Sequence, residues 1–521
     1  MKYIHYIYTL LFGVSALLFF GLAYPHHLHY QEQYQLFLFE ISYILDVVAL
    51  PGGVADLLGR FSTQFFLYAW VGAAIIAVLL SVVQLLTLRL ANWGRFYGLS
   101  YVPAFLLWIF LLDENALLGG VWAVVLTLSA SLAIDKMVDG WTRRIVTAML
   151  IPFLFWIAGP VSIVFCLLQI RRANHIIWNI ATVLVFVLMP LVLSHCLPVL
   201  DGSLWRGIHY HRYPTVIPTM LWMAVSVLVI IWGVKEVKEV KEVKEVKEVK
   251  EVKEVKEVKD ECPNRENSYN KNDIILSLVS FVVVAVAMGV MVWKNSNFKA
   301  EKTMKYDFMA CHQQWNRILD TIDEEKPNNQ IGVTVQNLAL AKRGILLNKM
   351  LEYNQNGMLG LLPEVQRDAT SPMPTAEAYY HLGLTYIAQR TVFEAQEAIL
   401  DFQKSARCYK RLAQTNLING DYEVASKYLM ALKKTLFYSD WANETITLLG
   451  NEKAIAKHPE YGTLRTFAIK KDFYFSDNAT PAMLESLYLN NKDNLLAYQY
   501  MMASFILTGD QDSFYKYAQN H

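Results

Sequence analysis

An excess of charge of either sign is missing from this chain, and so are cysteines at any useful spacing. Across 521 residues, 47 Lys and Arg face 46 Asp and Glu, for a net charge of +1. Gripping a phosphate backbone takes a basic field, so nucleic acid is excluded as the expected partner. The five cysteines, Cys166, Cys196, Cys262, Cys311 and Cys408, are scattered and form no CxxC pair. That spacing excludes a cysteine zinc site or a redox dithiol, and Cys311 and Cys408 are read as buried free thiols rather than a disulfide. A nucleotide-binding glycine loop, a Ser-His-Asp order and a zinc-protease motif are missing as well.

What is abundant is apolar side chain. Hydrophobic residues make up 54% of the sequence, crowded into long runs of Leu, Val, Ile, Phe and Ala over residues 1–234, while 295–521 has an ordinary soluble composition. The expected fold class is all-α: a polytopic transmembrane helix bundle followed by a soluble α-solenoid domain. Met1–Tyr24 opens with one Lys, continues with about twenty mostly apolar residues and lacks a small-x-small cleavage pattern, so it is read as an uncleaved span. Further spans are expected near 67–88, 97–112, 116–134, 145–158, 160–171, 176–195, 215–234 and 274–293. The chain then divides into a membrane bundle of about eight spans over 1–234, with a long first outer loop at 25–66. An inner linker at 235–273, a last span at 274–293 and a helical-repeat domain at 295–521 follow.

Loop cations set the expected topology. With the N-terminus inside, the inner loops hold Arg89, Arg95, Lys136, Arg143, Arg144, Arg171 and Arg172. The outer loops hold Asp113 and Glu114 and few cations before Arg206 and Arg212. The alternation survives if the 145–171 region crosses twice, as a tight hairpin at Gly159-Pro160; a single bent helix there would flip the parity. Nine spans are expected, in a bacterial inner membrane, with a cytoplasmic N-terminus and an extracytoplasmic, periplasmic C-terminal domain.

The first outer loop begins Pro25-His26-His27-Leu28-His29-Tyr30-Gln31-Glu32 and later carries Pro51-Gly52-Gly53, a turn signal, followed by Asp56, Arg60 and Gln64. It is too interrupted to span, and fits helices in the interface or a re-entrant element tucked against the bundle. Glu40 and Asp46 are read as marking the watery side of such a helix. His26, His27 and His29, with His209 and His211, fall on the same expected face and are read as interfacial residues rather than metal ligands. Residues 235–258 are eight perfect Lys-Glu-Val triplets. On a helix each triplet advances about 300°, so the valines hold no constant face and the tract is read as a solvated spacer.

Ala376–Leu432 has the strongest local pattern. Tyr379-x-x-Leu382-Gly383-x-x-Tyr386, Ala395 and Ile399 are followed by Tyr409-x-x-Leu412-Ala413, Gly420-Asp421-Tyr422, Ala425 and Leu429. Large residues at helical spacing, with small ones where a second helix must cross, resemble two tetratricopeptide-type hairpins. The tyrosines are read as repeat core rather than a ligand cage. A weaker hairpin is expected around Gly509-Asp510, and an amphipathic helix over Thr334–Lys349.

The segments 389–395, 411–420 and 434–442, with Asn337-Leu338-Ala339-Leu340-Ala341, 32–37 and Pro51-Gly52-Gly53, resemble a family of uncharacterised bacterial multi-pass membrane proteins known only as a domain of unknown function. The resemblance covers most of the chain, the triplet tract departs from it, and it implies no activity. In layout alone, the chain is also similar to multi-span polyprenyl-phosphate-dependent glycosyltransferases. That resemblance implies a catalytic acid after the first span, where Glu32 stands, as general base or ligand of a divalent cation. Asp113 and Glu114 would substitute for the usual acidic doublet, and Arg60, Arg206 and Arg212 would hold the lipid phosphate.

Two functions are therefore expected in competition. One is a membrane protein, in contact with lipid, whose extracytoplasmic repeat domain binds a protein partner or supports envelope assembly. The other is a membrane glycosyltransferase.

Overall fold

The computed structural model describes residues 2–91, 97–137, 140–170, 176–200, 202–231, 233, 271–364, 371–400, 403–469 and 480–519. The triplet tract, Arg95, Arg171, Arg172 and Cys262 lie outside them. Among the described residues there are helices and two isolated bridges, and no strand. The chain forms two compact units: Met1–Leu28 with Ile41–Asn297, and His29–Glu40 with Phe298–His521. Twelve residues of the expected outer loop thus belong to the C-terminal unit.

In the first unit, five helical stretches are long and apolar enough to cross a membrane: His5–Ala23, Ala69–Leu90, Trp141–Gln169, Ile177–Cys196 and Ile275–Asn295. Tyr97–Phe110, Gly119–Asp135 and Thr219–Ile231 are apolar but shorter. Trp141–Gln169 is not one rod. A helix of that length would hold residues 143 and 169 about 39 Å apart, yet Arg143 Nη2 donates to Gln169 Oε1 at 3.3 Å. The chain reverses at Gly159, whose φ of +71° favours glycine. Tyr210 fixes that turn, its hydroxyl donating to Ala158 O and accepting from Val161 N. The tight-hairpin expectation describes this region, and the bent helix does not.

Buried polar contacts stitch the apolar helices where hydrocarbon packing has no preferred register. Thr9 Oγ1 donates to Gln84 Oε1 at 3.0 Å, Gln84 Nε2 to Ser100 Oγ at 2.9 Å, and Tyr97 OH to His5 O at 2.8 Å. The Gly53–Thr63 helix is tucked against Gly119–Asp135, with Trp122 Nε1 donating to Ser62 Oγ at 3.1 Å. A Cβ on Gly59 would lie 2.5 Å from Gly119 N, so the two backbones touch with nothing able to yield. Ile41–Val48, by contrast, exposes Ile41, Ser42, Leu45 and Asp46 on one face.

The second unit is a helical domain. Pro372–Leu382 pairs with Thr385–Glu397, Ala406–Asn419 with Tyr422–Leu432, and Thr480–Asn490 with Leu495–Thr508. Gly383 and Gly420 close the first helix of the first two pairs at φ +92° and +94°. Asn329, Ser405, Asn451, Asn494 and Asp510 each cap a helix through the side chain. The expected 334–349 helix runs instead as Gln330–Lys342, with Leu346–Lys349 a separate turn beyond Gly344. Tyr379, Tyr380 and Tyr500 are fully buried, whereas Tyr386 is half exposed. Every residue of Pro372–Leu382 is buried, and Tyr461–Phe467 covers Ala406–Asn419. Pro372–Leu382 therefore keeps no face open to a partner.

The Gly59 contact gives a direct check. Gly59→Val forces backbone apart at a crossing that cannot repack, and should cost about 1–3 kcal/mol, read as a lower Tm of the purified protein in detergent. An unchanged Tm would show that this crossing is looser than described.

Candidate functional site

The charged interior of the helical domain is the most developed constellation in the chain. Arg407 donates to Asp307 Oδ2 and Oδ1 at 2.6 and 2.8 Å, to Glu377 Oε1 at 3.0 Å and to Gln33 Oε1 at 3.3 Å. Arg411 donates to Glu377 Oε2 at 2.6 Å, and its guanidinium lies 3.6 Å over the Tyr380 ring. Two guanidiniums thus share two carboxylates, and a bidentate fork satisfies Asp307. Burial alone would raise the Glu377 carboxyl, but Arg411 and Arg407 overturn that and hold it down at about 2. Each partner comes from a different stretch: Phe298–Cys311 carries Asp307, Pro372–Leu382 carries Glu377, Ala406–Asn419 carries both arginines, and His29–Glu40 carries Gln33.

His29–Glu40 is built into this domain along its length. His29 stacks on Phe308 at 4.3 Å between centroids, Tyr30 and Tyr34 join the core around Val392 and Leu412, and Leu36 packs with Leu429 and Ala442. Leu36 N donates to Lys404 O at 3.0 Å, Phe39 N to Lys434 O at 2.8 Å, and Lys434 pairs with Glu40 at 2.7 Å. Glu32, the expected catalytic acid, is 5% exposed here and accepts from the Tyr438 hydroxyl at 3.0 Å. Burial pushes its carboxyl up to about 7 against the weaker pull of Tyr438 and Lys410.

The other expected site residues lie in the membrane unit. Asp113 and Glu114 line a cavity of about 360 Å³ together with His211, Thr219, Asn295 and Asn297. His211 Nδ1 accepts from Tyr213 N at 3.0 Å, so its Nε2 carries the proton toward Asp113 Oδ2 at 3.1 Å. Burial opposes the Asp113 charge, but the His211 and Asn115 hydrogen bonds prevail and hold that carboxyl below its usual range. With both nitrogens engaged, His211 is a pin for the loop rather than an available base. Arg60 is held by Asp56 at 2.7 Å, and Asp56 also lies 3.3 Å from His209 Nδ1. Arg206 donates to Gly202 O and Thr215 O, and Arg212 is buried with its guanidinium 5.7 Å from the Tyr213 ring. The cavity gathers Asp113 and Glu114 but none of the three arginines. Among the described residues no three His, Cys, Asp or Glu side chains stand close enough to hold a metal ion. His27 Nε2 donates to Leu111 O at 3.0 Å, and burial takes the imidazole down to about 4, so it is neutral at physiological pH.

The family model for a family of unknown function, DUF6057, matches residues 1–521. The chain belongs to that family. No curated protein and no solved structure matches it.

Sequence reading missed the domain's charged interior. Its signal was present: Arg407 and Arg411 stand four apart on one helix, a repulsive pairing unless an acid is shared. Glu377 likewise interrupts an otherwise apolar Ala-x-Ala-Tyr-Tyr run. Gln33 carried no signal, since nothing local tells which distant helix a loop amide will meet.

Two measurements follow from these charges. Arg407→Ala takes the ion-pair partner from Asp307 and leaves Glu377 with Arg411 alone, and should cost roughly 3–5 kcal/mol, read by denaturant unfolding of the full chain; a loss under 1 kcal/mol would deny the network its role. Glu32 has a raised carboxyl pKa, so its stabilisation is complete below the unfolded value near 4.5 and fades as pH rises through about 7. Glu377 is shifted the other way and loses its contribution only as pH falls toward about 2. His27 and His381, shifted downward by burial, add stability as pH rises toward 6.5, so the Glu32 contribution is read as a difference. Between pH 5 and 8 the wild-type Tm should fall relative to that of Glu32→Gln, and a pH-independent difference between the two proteins would place the titration elsewhere.

Proposed function

We propose that this is a multi-pass inner-membrane protein that presents an extracytoplasmic, tetratricopeptide-like helical domain to a protein partner in the cell envelope. The observation that supports it is the membership of His29–Glu40 in the C-terminal unit. In sequence that segment lies between the first apolar helix, His5–Ala23, and the second, Ala69–Leu90, whereas the rest of the domain follows the last, Ile275–Asn295. Folded together, they share one side of the membrane, so an even number of crossings separates them and the total is odd.

The reversal at Gly159 is consistent with that parity. It turns 141–170 into two passes, and with the three shorter apolar helices the total reaches the nine spans expected from the loop cations. The inner-loop cations then favour an outer location for the domain. Because Pro372–Leu382 is wholly buried, partner binding falls to the outward helices, where Tyr386, Phe393 and Val424 are each more than a third exposed. The glycosyl-transfer reading draws no comparable support, since Glu32 and Arg60 are each held by a partner and neither lines the Asp113–Glu114 cavity.

Single cysteines at the exposed positions Lys349 and Lys433, in a chain without its native cysteines, test the reading. Membrane-impermeant maleimide should label both in intact spheroplasts. Labelling only after permeabilisation would put the domain inside and overturn it.

A further inference from the structure

The turn at Lys433–Leu436, together with Phe39, borders an open groove of about 760 Å³ in the helical domain. Its apolar walls are Phe39, Met430 and Leu436, which are 52%, 51% and 45% exposed, and Lys433 and Lys434 stand beside them. Large side chains held this open in water are unfavourable unless something covers them. The covering medium is indicated by the chain itself. Phe39 N is bonded to Lys434 O, and Lys434 Nζ to Glu40. The next residue, Ile41, begins an apolar helix of the membrane unit in which Ile41 and Leu45 are 76% and 59% exposed. Glu40 alone separates Phe39 from Ile41, so the groove's Phe39 is covalently within about 7 Å of the start of that apolar helix.

The two lysines are not equivalent. Lys434 is engaged by Glu40, while Lys433 is exposed and makes no ion pair among the described residues. An apolar concavity edged by an uncompensated cation is the composition of a surface that meets acyl chains and an anionic headgroup together. We propose that this groove seats an acidic phospholipid of the adjoining leaflet, its phosphate at Lys433 and its acyl chain along Met430, Leu436 and Phe39. Thr435 and Ser439, the groove's uncharged polar residues, are within the same lining and suit the ester and glycerol oxygens of such a lipid. The inference rests on the membrane reading above and adds to it a ligand class and a fixed contact between the domain and the lipid.

The test uses the full chain in nanodiscs, with the photoreactive residue p-benzoylphenylalanine in place of Met430 and, in a second variant, of Leu436. In discs containing phosphatidylglycerol, both probes should form adducts with that lipid, about five-fold more than with phosphatidylcholine in discs of phosphatidylcholine alone. Lys433→Glu should reduce the phosphatidylglycerol adduct by about the same factor. A probe at Tyr515, 63% exposed elsewhere on the domain, should form none. Failure of both groove probes to capture lipid, equal capture at Tyr515, or a polypeptide adduct from another protein or a second copy would each overturn the assignment. Maleimide labelling at Lys349 is independent of the groove, so outside labelling without lipid capture would sink this inference alone.

Discussion

A guanidinium cannot be buried alone, and the helical domain is arranged around that constraint. Arg407 is 8% exposed, and the cost of taking its charge out of water is met only when Asp307, Glu377 and Gln33 are all in place. Those three groups lie on three separate stretches of sequence, one of them a segment almost four hundred residues upstream. Helix pairs of the 372–432 region can form locally through their own apolar faces, but the charge cluster requires the incoming strap as well. Ion pairs add little at a surface; buried and shared, as here, they make the assembly conditional on every member.

That condition links the two ends of the chain. Because His29–Glu40 is part of the C-terminal domain, the first and last apolar helices are joined to one folded body by a few residues each, and the second follows it through residues 41–68. The membrane unit has its own constraint of the same kind. Asp56 holds Arg60 and lies beside His209, and Asp113 holds His211 two residues further on, so one loop is pinned at both of its histidines. Polar groups give these helices a register that hydrocarbon contact alone would leave open.

Much of this was legible locally and little of it globally. The apolar runs placed the helices well, because twenty residues of Leu, Val and Ile have few alternatives. The 372–432 pairs were visible from Gly383, Gly420 and the small residues between large ones. The hairpin at Gly159-Pro160 was open between two readings until the Arg143–Gln169 hydrogen bond placed both ends together. The outer loop was read by its hydropathy as an interfacial element, which suits Ile41–Val48 and the tucked Gly53–Thr63 helix but not residues 29–40. Tyr30, Tyr34 and Leu36 have the spacing of any amphipathic loop, and their partners near Val392 and Leu429 lie far away in sequence. Long-range pairing of that sort leaves no periodic trace.

The central claim is that His29–Glu40 is an integral part of the C-terminal domain rather than a free loop between spans. Hydrogen exchange of the full chain in nanodiscs measures this directly, through the amides of Leu36 and Phe39 that donate to Lys404 O and Lys434 O. The account predicts that peptides covering 29–40 exchange as slowly as those covering Ala406–Asn419, and that Arg407→Ala speeds both together. Exchange of 29–40 at the rate of an unstructured loop, with Ala406–Asn419 still protected, would contradict it.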